Sequence, residues 1–140
     1  MKANEYQKLA MRTNDRKCTA RLIEKVQNHA IVHHNSFMNE MIVANIGIDV
    51  GGVINACFGL SGETGELVDA IKKNIFHGHP LEKEKIKKEL GDVCWYVAMM
   101  CESFGFEMEE VMQTNIDKLK ARYPEGFSTE RSMHRKEGDI

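Results

Sequence analysis

Two pairs of acidic residues in this sequence have the types and the spacing that could do chemistry. Glu63 and Glu66 form one pair, and Glu89 and Asp92 form the other, each with i, i+3 spacing. On a helix this spacing places both carboxylates on one face, about one turn apart. One such pair is typical of a solvated helix face. Two pairs are more informative if the fold brings them together.

The distances of the two pairs from a predicted turn at Gly78 suggest that they meet. Glu66 lies 12 residues before Gly78, and Glu89 lies 11 residues after it. Glu63 lies 15 residues before the same glycine, and Asp92 lies 14 residues after it. In two antiparallel helices that rise about 1.5 Å per residue, the two pairs are then level with each other. We therefore expect four carboxylates to converge on one spot.

A cluster of four carboxylates needs positive charge nearby. Ionised acids in a semi-apolar site repel one another, and a bound hard cation is the usual compensation. An all-oxygen ligand set favours Mg²⁺, with Mn²⁺ as a substitute. Gly62, Gly65 and Gly91 lie in the same helical stretches, and a glycine inside a helix costs about 1 kcal/mol relative to alanine. These glycines indicate either room for a ligand or close packing of two helices.

The histidines do not complete a competing metal site. A di-iron carboxylate bundle takes histidines from ExxH motifs, and the sequence contains no such motif. His29, His33 and His34 could offer a pair of ligands to zinc, but no cysteine or further histidine is placed to complete the site. We expect them, like His77 and His79, to be surface residues.

Repeated apolar spacings of three and four residues predict helices over nearly the whole chain. The expected fold is an all-α antiparallel bundle of four to five main helices. The first helix is expected to begin at Asn4, whose side chain caps it while Gln7 reaches back to it. Tyr6, Leu9 and Ala10 are expected to face inward.

Apolar stripes and helix-breaking residues define the later helices. Residues 18–48 fit one long bent helix or two short ones. The next helix covers about 49–75, another begins near Glu82 and stops at Gly105, and the last covers about 108–123. Their apolar positions are Leu22, Val26, Ala30, Phe37, Met41, Ala44 and Ile48, then Ala56, Leu60, Leu67, Ile71 and Ile75, then Ile86, Leu90, Val93, Val97, Met100 and Phe104, and finally Val111, Ile116 and Leu119.

Length, charge and cysteine usage bound the class of protein. The 140 residues fit one domain over 1–127, followed by a polar tail over 128–140 to which we assign no structure. A formal net charge of -2 favours neither a nucleic-acid nor a membrane partner. Without a signal segment or a transmembrane run, the protein is expected to be cytoplasmic. Cys57, Cys94 and Cys101 are expected to be reduced thiols in the core.

Three strings that follow one another in order resemble the all-α, MazG-like nucleoside triphosphate pyrophosphohydrolases. They are GLSGETGE at 59–66, ELGDVCWY at 89–96 and NIDKLKARYP at 115–124. The similarity covers about residues 53–127 and the opening helix. Gly62 and Lys88 stand where that family often has a further acid. Residues 18–49 look like an inserted helical segment.

The resemblance implies an enzyme that cleaves nucleoside triphosphates, ribo or deoxy, to monophosphate and pyrophosphate as nucleotide-pool housecleaning. Magnesium would polarise the α-phosphorus for attack by water, held by Glu63, Glu66, Glu89 and Asp92. Candidate ligands of the phosphates and the sugar are Lys73, Asn115, Lys118 and Arg122. Candidates for contact with the base are Trp95, Tyr6 and Gln7. For Trp95, core packing is the simpler interpretation.

Two other classes of protein fit the same helices. One is a non-catalytic nucleotide-binding protein, which the presence of all four acids disfavours. The other is a helical protein-interaction module that assembles through the apolar stripe of residues 22–48. Magnesium-dependent release of pyrophosphate separates the enzyme from both. The resemblance also implies self-association, so a homodimer or a homotetramer is expected.

Overall fold

The computed structural model describes residues 1–29 and 47–134 of the chain, and the regular structure in these residues is helical, with no strand. Six helices occur in these two stretches: α1 Ala3–Met11, α2 Cys18–His29, α3 Val50–His77, α4 Lys83–Phe104, α5 Met108–Arg122 and α6 Thr129–Met133. The predicted all-α fold is confirmed. The predicted apolar positions Ala30, Phe37, Met41 and Ala44, with His33 and His34, lie outside the described residues.

Helices α3 and α4 form the hairpin that the sequence predicted. Helix α3 ends at Gly78, whose φ of 70° is a left-handed conformation that glycine adopts readily, and its N–H donates to the Lys73 carbonyl. Helix α4 begins at Lys83, one residue after the predicted start at Glu82, and ends at Gly105 with a φ of 72°. The two helices pack together more extensively than any other pair in the described part of the chain.

The core lies where α1 packs against α4 and α2 packs against α3. Its cluster of buried side chains consists of Met11, Ala56, Ala98 and Met99. Tyr6 and Ala10 pack against this cluster from α1, as predicted. The site described below lies near the middle of the hairpin, between this buried end and the turn at Gly78.

Several positions that were expected to face inward are exposed instead. Leu9, Ile71, Ile75 and Leu90 all present large apolar side chains at the surface, and Ile75 is 63% exposed. Helices α1 and α2 contact the hairpin through residues such as Gly91 and Gly51. This arrangement leaves the turn end, with Ile71 and Ile75, uncovered. The apolar spacing identified the helices correctly, but the direction of these side chains was predicted wrongly.

The start of α1 differs from the prediction. The helix begins at Ala3, and its first turn is closed by the Lys2 backbone N–H, which donates to Glu5 Oε2 at 3.4 Å. The expected capping of α1 by Asn4 and Gln7 is wrong, because both side chains bond to a different helix. A local capping pattern in the sequence cannot show whether these side chains cap their own helix or another one.

Asn4 and Gln7 instead cap the N-terminus of α5. Asn4 Oδ1 accepts from the Glu109 backbone N–H at 2.7 Å, and Gln7 Oε1 accepts from the Met108 N–H at 2.8 Å. Gln7 Nε2 donates to the Phe106 carbonyl at 2.9 Å. The first residues of a helix have unpaired N–H groups, and α5 has no side-chain cap from its own N-cap residue. Helix α1 therefore fixes where α5 leaves the bundle.

Helix α5 has no buried residue. Val111, Met112, Ile116 and Leu119 form an exposed apolar face along it. After α5, a short helix α6 occurs where the sequence analysis assigned no structure, and Ser128 caps it by accepting from the Arg131 N–H at 3.3 Å. The apolar side chains of α5 are therefore not part of the core that the described residues form.

All four cysteines are free thiols. Cys101 is buried as predicted, but Cys57 and Cys94 are exposed. The expectation of core positions for these two was wrong, because both lie on hairpin faces that no described helix covers. Among the helices that the structure describes, none has the length and apolar character needed to cross a membrane.

Candidate metal centre and adjacent cavity

Three of the four predicted acids converge where α3 and α4 run side by side. Glu63, Glu89 and Asp92 each offer a carboxylate oxygen, and these three oxygens all lie within 4.8 Å of one another. Glu63 and Glu89 are half-buried, and Asp92 is exposed. The group contains the predicted level pair of Glu63 and Asp92, whereas Glu66, the predicted partner of Glu89, is not in it.

Glu66 lies outside this group of three but acts on it electrostatically. Its side chain is exposed, one turn after Glu63 on α3. The pKa of Glu63 is raised above its ordinary value, first by burial and then by the negative charges of Glu66, Asp92 and Glu89, in that order. All four acids therefore influence one spot, although only three bring their oxygens together.

The donor set fits a hard divalent cation. Three carboxylate oxygens at this separation are ligands that Mg²⁺ and Mn²⁺ prefer. Burial raises the pKa of Glu63 most, and the negative charges of Glu66, Asp92 and Glu89 raise it further; a divalent cation would offset these charges. Glu63, Glu89 and Asp92 are the residues that could hold it.

A cavity of about 260 Å³ adjoins the acids and is lined by Glu63, Asp92, Trp95 and Tyr96. The Trp95 indole N–H donates to the Ala10 carbonyl at 3.1 Å and to Thr13 Oγ1 at 3.0 Å. Trp95 also packs against the core. Its ring thus packs against the core and also lines the cavity, so core packing and contact with a base are compatible interpretations of this residue.

Tyr96 is a cavity residue that the sequence analysis did not select. Its ring meets the Trp95 ring edge to face, with centroids 4.9 Å apart and an angle of 84° between the planes. The signal was present in the spacing, because Tyr96 follows Asp92 by four residues and must share its helix face. The cavity therefore combines two carboxylates with two aromatic rings.

The two candidates on α1 have different surroundings. The Tyr6 hydroxyl donates to the Gly91 carbonyl at 3.3 Å, and burial, then the charges of Cys94 and Asp92, raise the pKa of Tyr6. Tyr6 thus lies at the edge of the acidic site. Gln7 is buried, and both polar atoms of its amide bond to backbone groups around the start of α5. Gln7 therefore positions a helix, and its amide is not available to a base.

The helix glycines near the acids are not explained by tight packing in this chain. A Cβ placed on Gly62, Gly65 or Gly91 would meet nothing within 4 Å in the described structure. Of the two explanations that the sequence left open, close packing against another described helix fails for all three. The open space beside these glycines is consistent with a bound ligand or with close approach of another chain.

The structure does not bring the cationic candidates to the acids. Lys73 pairs with Asp69 at 2.5 Å, and Lys72 and Lys73 hold the pKa of Asp69 at about 2. Lys73 lines a separate cavity of about 150 Å³ at the hairpin turn. Asn115 and Lys118 are exposed on α5, and Arg122 is half-buried at its end. None of these four is among the described residues that line the acidic cavity.

Comparisons with known proteins agree with this arrangement. The family profile described as "MazG nucleotide pyrophosphohydrolase domain" matches residues 54–127, just over half of the chain, and this span includes all four acids, Trp95 and Tyr96. The chain is 31% identical over 81 residues to the "Gene 37 protein" of Mycobacterium phage L5, which covers 55% of this chain and 71% of that protein. No solved structure matches the chain significantly.

Proposed function

Because this chain belongs to the family of MazG nucleotide pyrophosphohydrolase domains, we propose that it hydrolyses nucleoside triphosphates to monophosphate and pyrophosphate with magnesium. The observation that carries the proposal is the convergence of Glu63, Glu89 and Asp92 within 4.8 Å beside a cavity with aromatic walls. Family membership supports the class of reaction. The acidic cluster supports the metal, and the cavity supports a nucleoside as part of the substrate.

The acids have distinct parts in the proposed reaction. Glu63, Glu89 and Asp92 would hold the magnesium ion. Bound there, the ion would supply positive charge that offsets the triphosphate oxygens and makes the α-phosphorus more electrophilic. We assign Glu66 to accept a proton, because it lies outside the group of three and is exposed while its charge still reaches Glu63.

The bond changes follow from the products. The oxygen of a water molecule forms a bond to the α-phosphorus, and the bond from that phosphorus to the α,β-bridging oxygen breaks. Pyrophosphate leaves with the bridging oxygen, and the proton of the water passes to Glu66. No covalent intermediate with the protein is needed. The nucleoside lies in the cavity against the rings of Trp95 and Tyr96, which offer flat apolar faces to a base or a sugar.

The active form is proposed to be a homodimer or a homotetramer. Asn115 and Lys118 are exposed on α5 and are not among the described residues that line the acidic cavity, and α5 has an exposed apolar face. A second copy that covers this face would remove apolar surface from water. It would also allow Lys118 and Arg122, spaced i, i+4 on α5, to approach the triphosphate of a neighbouring site. Lys73 would contribute only after release from Asp69.

Product analysis tests the proposal. The chain is incubated with a panel of ribo- and deoxynucleoside triphosphates and Mg²⁺, and the products are identified by ³¹P NMR. Monophosphate and pyrophosphate, formed with Mg²⁺ and not with EDTA, are the expected products. Diphosphate and orthophosphate would contradict the assigned bond cleavage. Binding of nucleotides without turnover would favour the non-catalytic nucleotide-binding protein instead, and assembly without nucleotide binding would favour the interaction module.

A further inference from the structure

Gly59 and Tyr96 are in direct contact across the α3–α4 hairpin. A Cβ built on Gly59 would overlap Tyr96 Cε1 and Cζ, well inside any permitted contact. The Tyr96 ring therefore lies against the bare backbone of α3. Only a residue without a side chain allows the ring to take this position.

This contact is one helical turn from the acids on both helices. Gly59 precedes Glu63 by four residues on α3, and Tyr96 follows Asp92 by four residues on α4. Residues with this spacing share a helix face. Glu63, Asp92 and Tyr96 all line the same cavity of about 260 Å³. The place where the ring rests on α3 thus sets one boundary of the cavity.

The second aromatic wall is fixed independently. Two hydrogen bonds from the Trp95 indole N–H to Ala10 and Thr13 hold that ring. Tyr96 meets it edge to face, and the Tyr96 hydroxyl makes no hydrogen bond to any other residue in the described ranges. The Trp95 ring is therefore fixed by hydrogen bonds, whereas the Tyr96 ring is fixed by its contact with the α3 backbone at Gly59.

We propose that Gly59 is a positioning residue that sets the place of the Tyr96 ring and thereby the width of the nucleoside end of the cavity. A larger residue at position 59 displaces the ring from α3, so the cavity changes shape while the carboxylates one turn away keep their ligand atoms. Such a change affects the base and sugar of a bound nucleotide and leaves its phosphates unaffected. This inference rests on the proposed function, since it takes the occupant of the cavity to be a nucleoside.

Trp95 is the only tryptophan in the sequence, so its fluorescence reports directly on the cavity. Emission is titrated, in the presence of Mg²⁺, with the four α,β-imido deoxynucleoside triphosphates, which resist the proposed cleavage. Inorganic tripolyphosphate, added in competition, measures the phosphate end alone. The proteins compared are the native chain, Gly59→Ala, Tyr96→Ala and the double variant. Ser61→Ala, at an exposed position on the same helix, is the matched control.

The expected result has two parts. Gly59→Ala binds the nucleotide analogues about tenfold more weakly, the size of change typical of one misplaced methyl group in a pocket, while its affinity for tripolyphosphate is unchanged. In the Tyr96→Ala background, Gly59→Ala causes no further loss, because the ring through which it acts is absent. Ser61→Ala binds both ligands as the native chain does.

Three results would overturn the inference. The first is native affinity of Gly59→Ala for the analogues, and the second is an equal loss for analogues and tripolyphosphate. The third is a loss that persists when Tyr96 is alanine. If Gly59→Ala does not fold, as judged by circular dichroism, Tyr96→Ala alone decides, since native analogue affinity in that variant refutes the role of the ring. Native affinity of Gly59→Ala for the analogues refutes this inference alone, whereas a native chain that binds no analogue refutes the proposed function as well.

Discussion

The carboxylates of Glu63 on α3 and Glu89 on α4 lie within 4.8 Å of each other, together with that of Asp92, although the turn of the hairpin separates them in sequence. Gly78 ends α3 with a φ of 70°, and the register it sets brings the two helices level at these residues. Three negative groups at this separation cost stability in the absence of a cation. These three carboxylates are therefore the group that could hold the divalent ion of the proposed reaction.

Removal of the Glu63 charge is expected to stabilise the metal-free protein. The pKa of Glu63 is raised in the fold, so the fold favours the protonated form, and that contribution is lost as the pH rises through the raised pKa. We therefore expect Glu63→Gln to melt at a higher temperature than the native chain in EDTA at pH 7. The difference should vanish well below the ordinary glutamate pKa of 4.5, where the native side chain is also neutral.

The same melting experiment tests the metal site. Magnesium should raise the melting temperature of the native chain and of Glu84→Gln, a control at an exposed glutamate on α4, because a ligand that binds the folded state stabilises it. Glu63→Gln should lose most of this rise. A variant that melts below the native chain in EDTA and keeps the full magnesium effect would show that Glu63 is not part of a metal site.

Glu66 is expected to affect turnover more than metal affinity. Its side chain is outside the group of three converging carboxylates, and a general base typically contributes a factor of about 10² to 10⁴ in rate. Glu66→Gln should therefore bind Mn²⁺ almost as tightly as the native chain, measured by electron paramagnetic resonance, while kcat falls by about 10² or more. If Mn²⁺ affinity and kcat fell together, Glu66 would instead be a metal ligand.

Gln7 is expected to matter for stability and not for substrate binding. It is 6% exposed, and it bonds to Phe106 and Met108 around the start of α5. Gln7→Ala removes the part-buried hydrogen bonds to the Phe106 carbonyl and the Met108 N–H, at a cost of about 0.5–1.5 kcal/mol each. Urea unfolding should detect this loss, and the KM for the preferred nucleotide should stay within about twofold of the native value because the substitution removes no substrate contact. A large rise in KM at unchanged stability would show that Gln7 contacts the substrate.

The apolar face of α5 is expected to be covered by a second copy of the chain. Ile116 is 45% exposed on this face, and a charge placed there would have to be buried in any assembly that covers it. Ile116→Glu should convert the proposed dimer or tetramer to a monomer in size-exclusion chromatography with light scattering, and activity should fall with it. Ala121→Glu, at an exposed position on the opposite side of the same helix, should leave the assembly intact. An active native monomer would contradict the proposal.

Local signals in the sequence predicted the helices and the meeting of the acids. The turn at Gly78 and the stop at Gly105 depend on glycine itself, so a short stretch of sequence reveals them. Once that turn is known, the constant rise of a helix places Glu63 on α3 level with Asp92 on α4. The acidic centre could therefore be located without a structure.

Features that depend on distant parts of the chain were not predictable in this way. Asn4 lies 105 residues from its partner Glu109, and nothing local distinguishes that bond from capping of its own helix. The exposure of Ile75 depends on which end of the hairpin α1 and α2 cover. The place of Tyr96 in the cavity depends on the absence of a side chain at Gly59 across the hairpin. In each case the deciding contact joins elements that are remote in sequence.

The most direct test of the central claim is release of pyrophosphate from nucleoside triphosphates by the native chain and by Glu89→Gln, with Glu84→Gln as the matched control on the same helix. Glu89→Gln removes one converging carboxylate charge at nearly constant shape. We expect magnesium-dependent release by the native chain and the control, and a loss of at least about 10²-fold in Glu89→Gln, comparable to loss of one strong electrostatic contact in a transition state. Equal rates in all three proteins, or no release by the native chain with any nucleotide, would contradict the account.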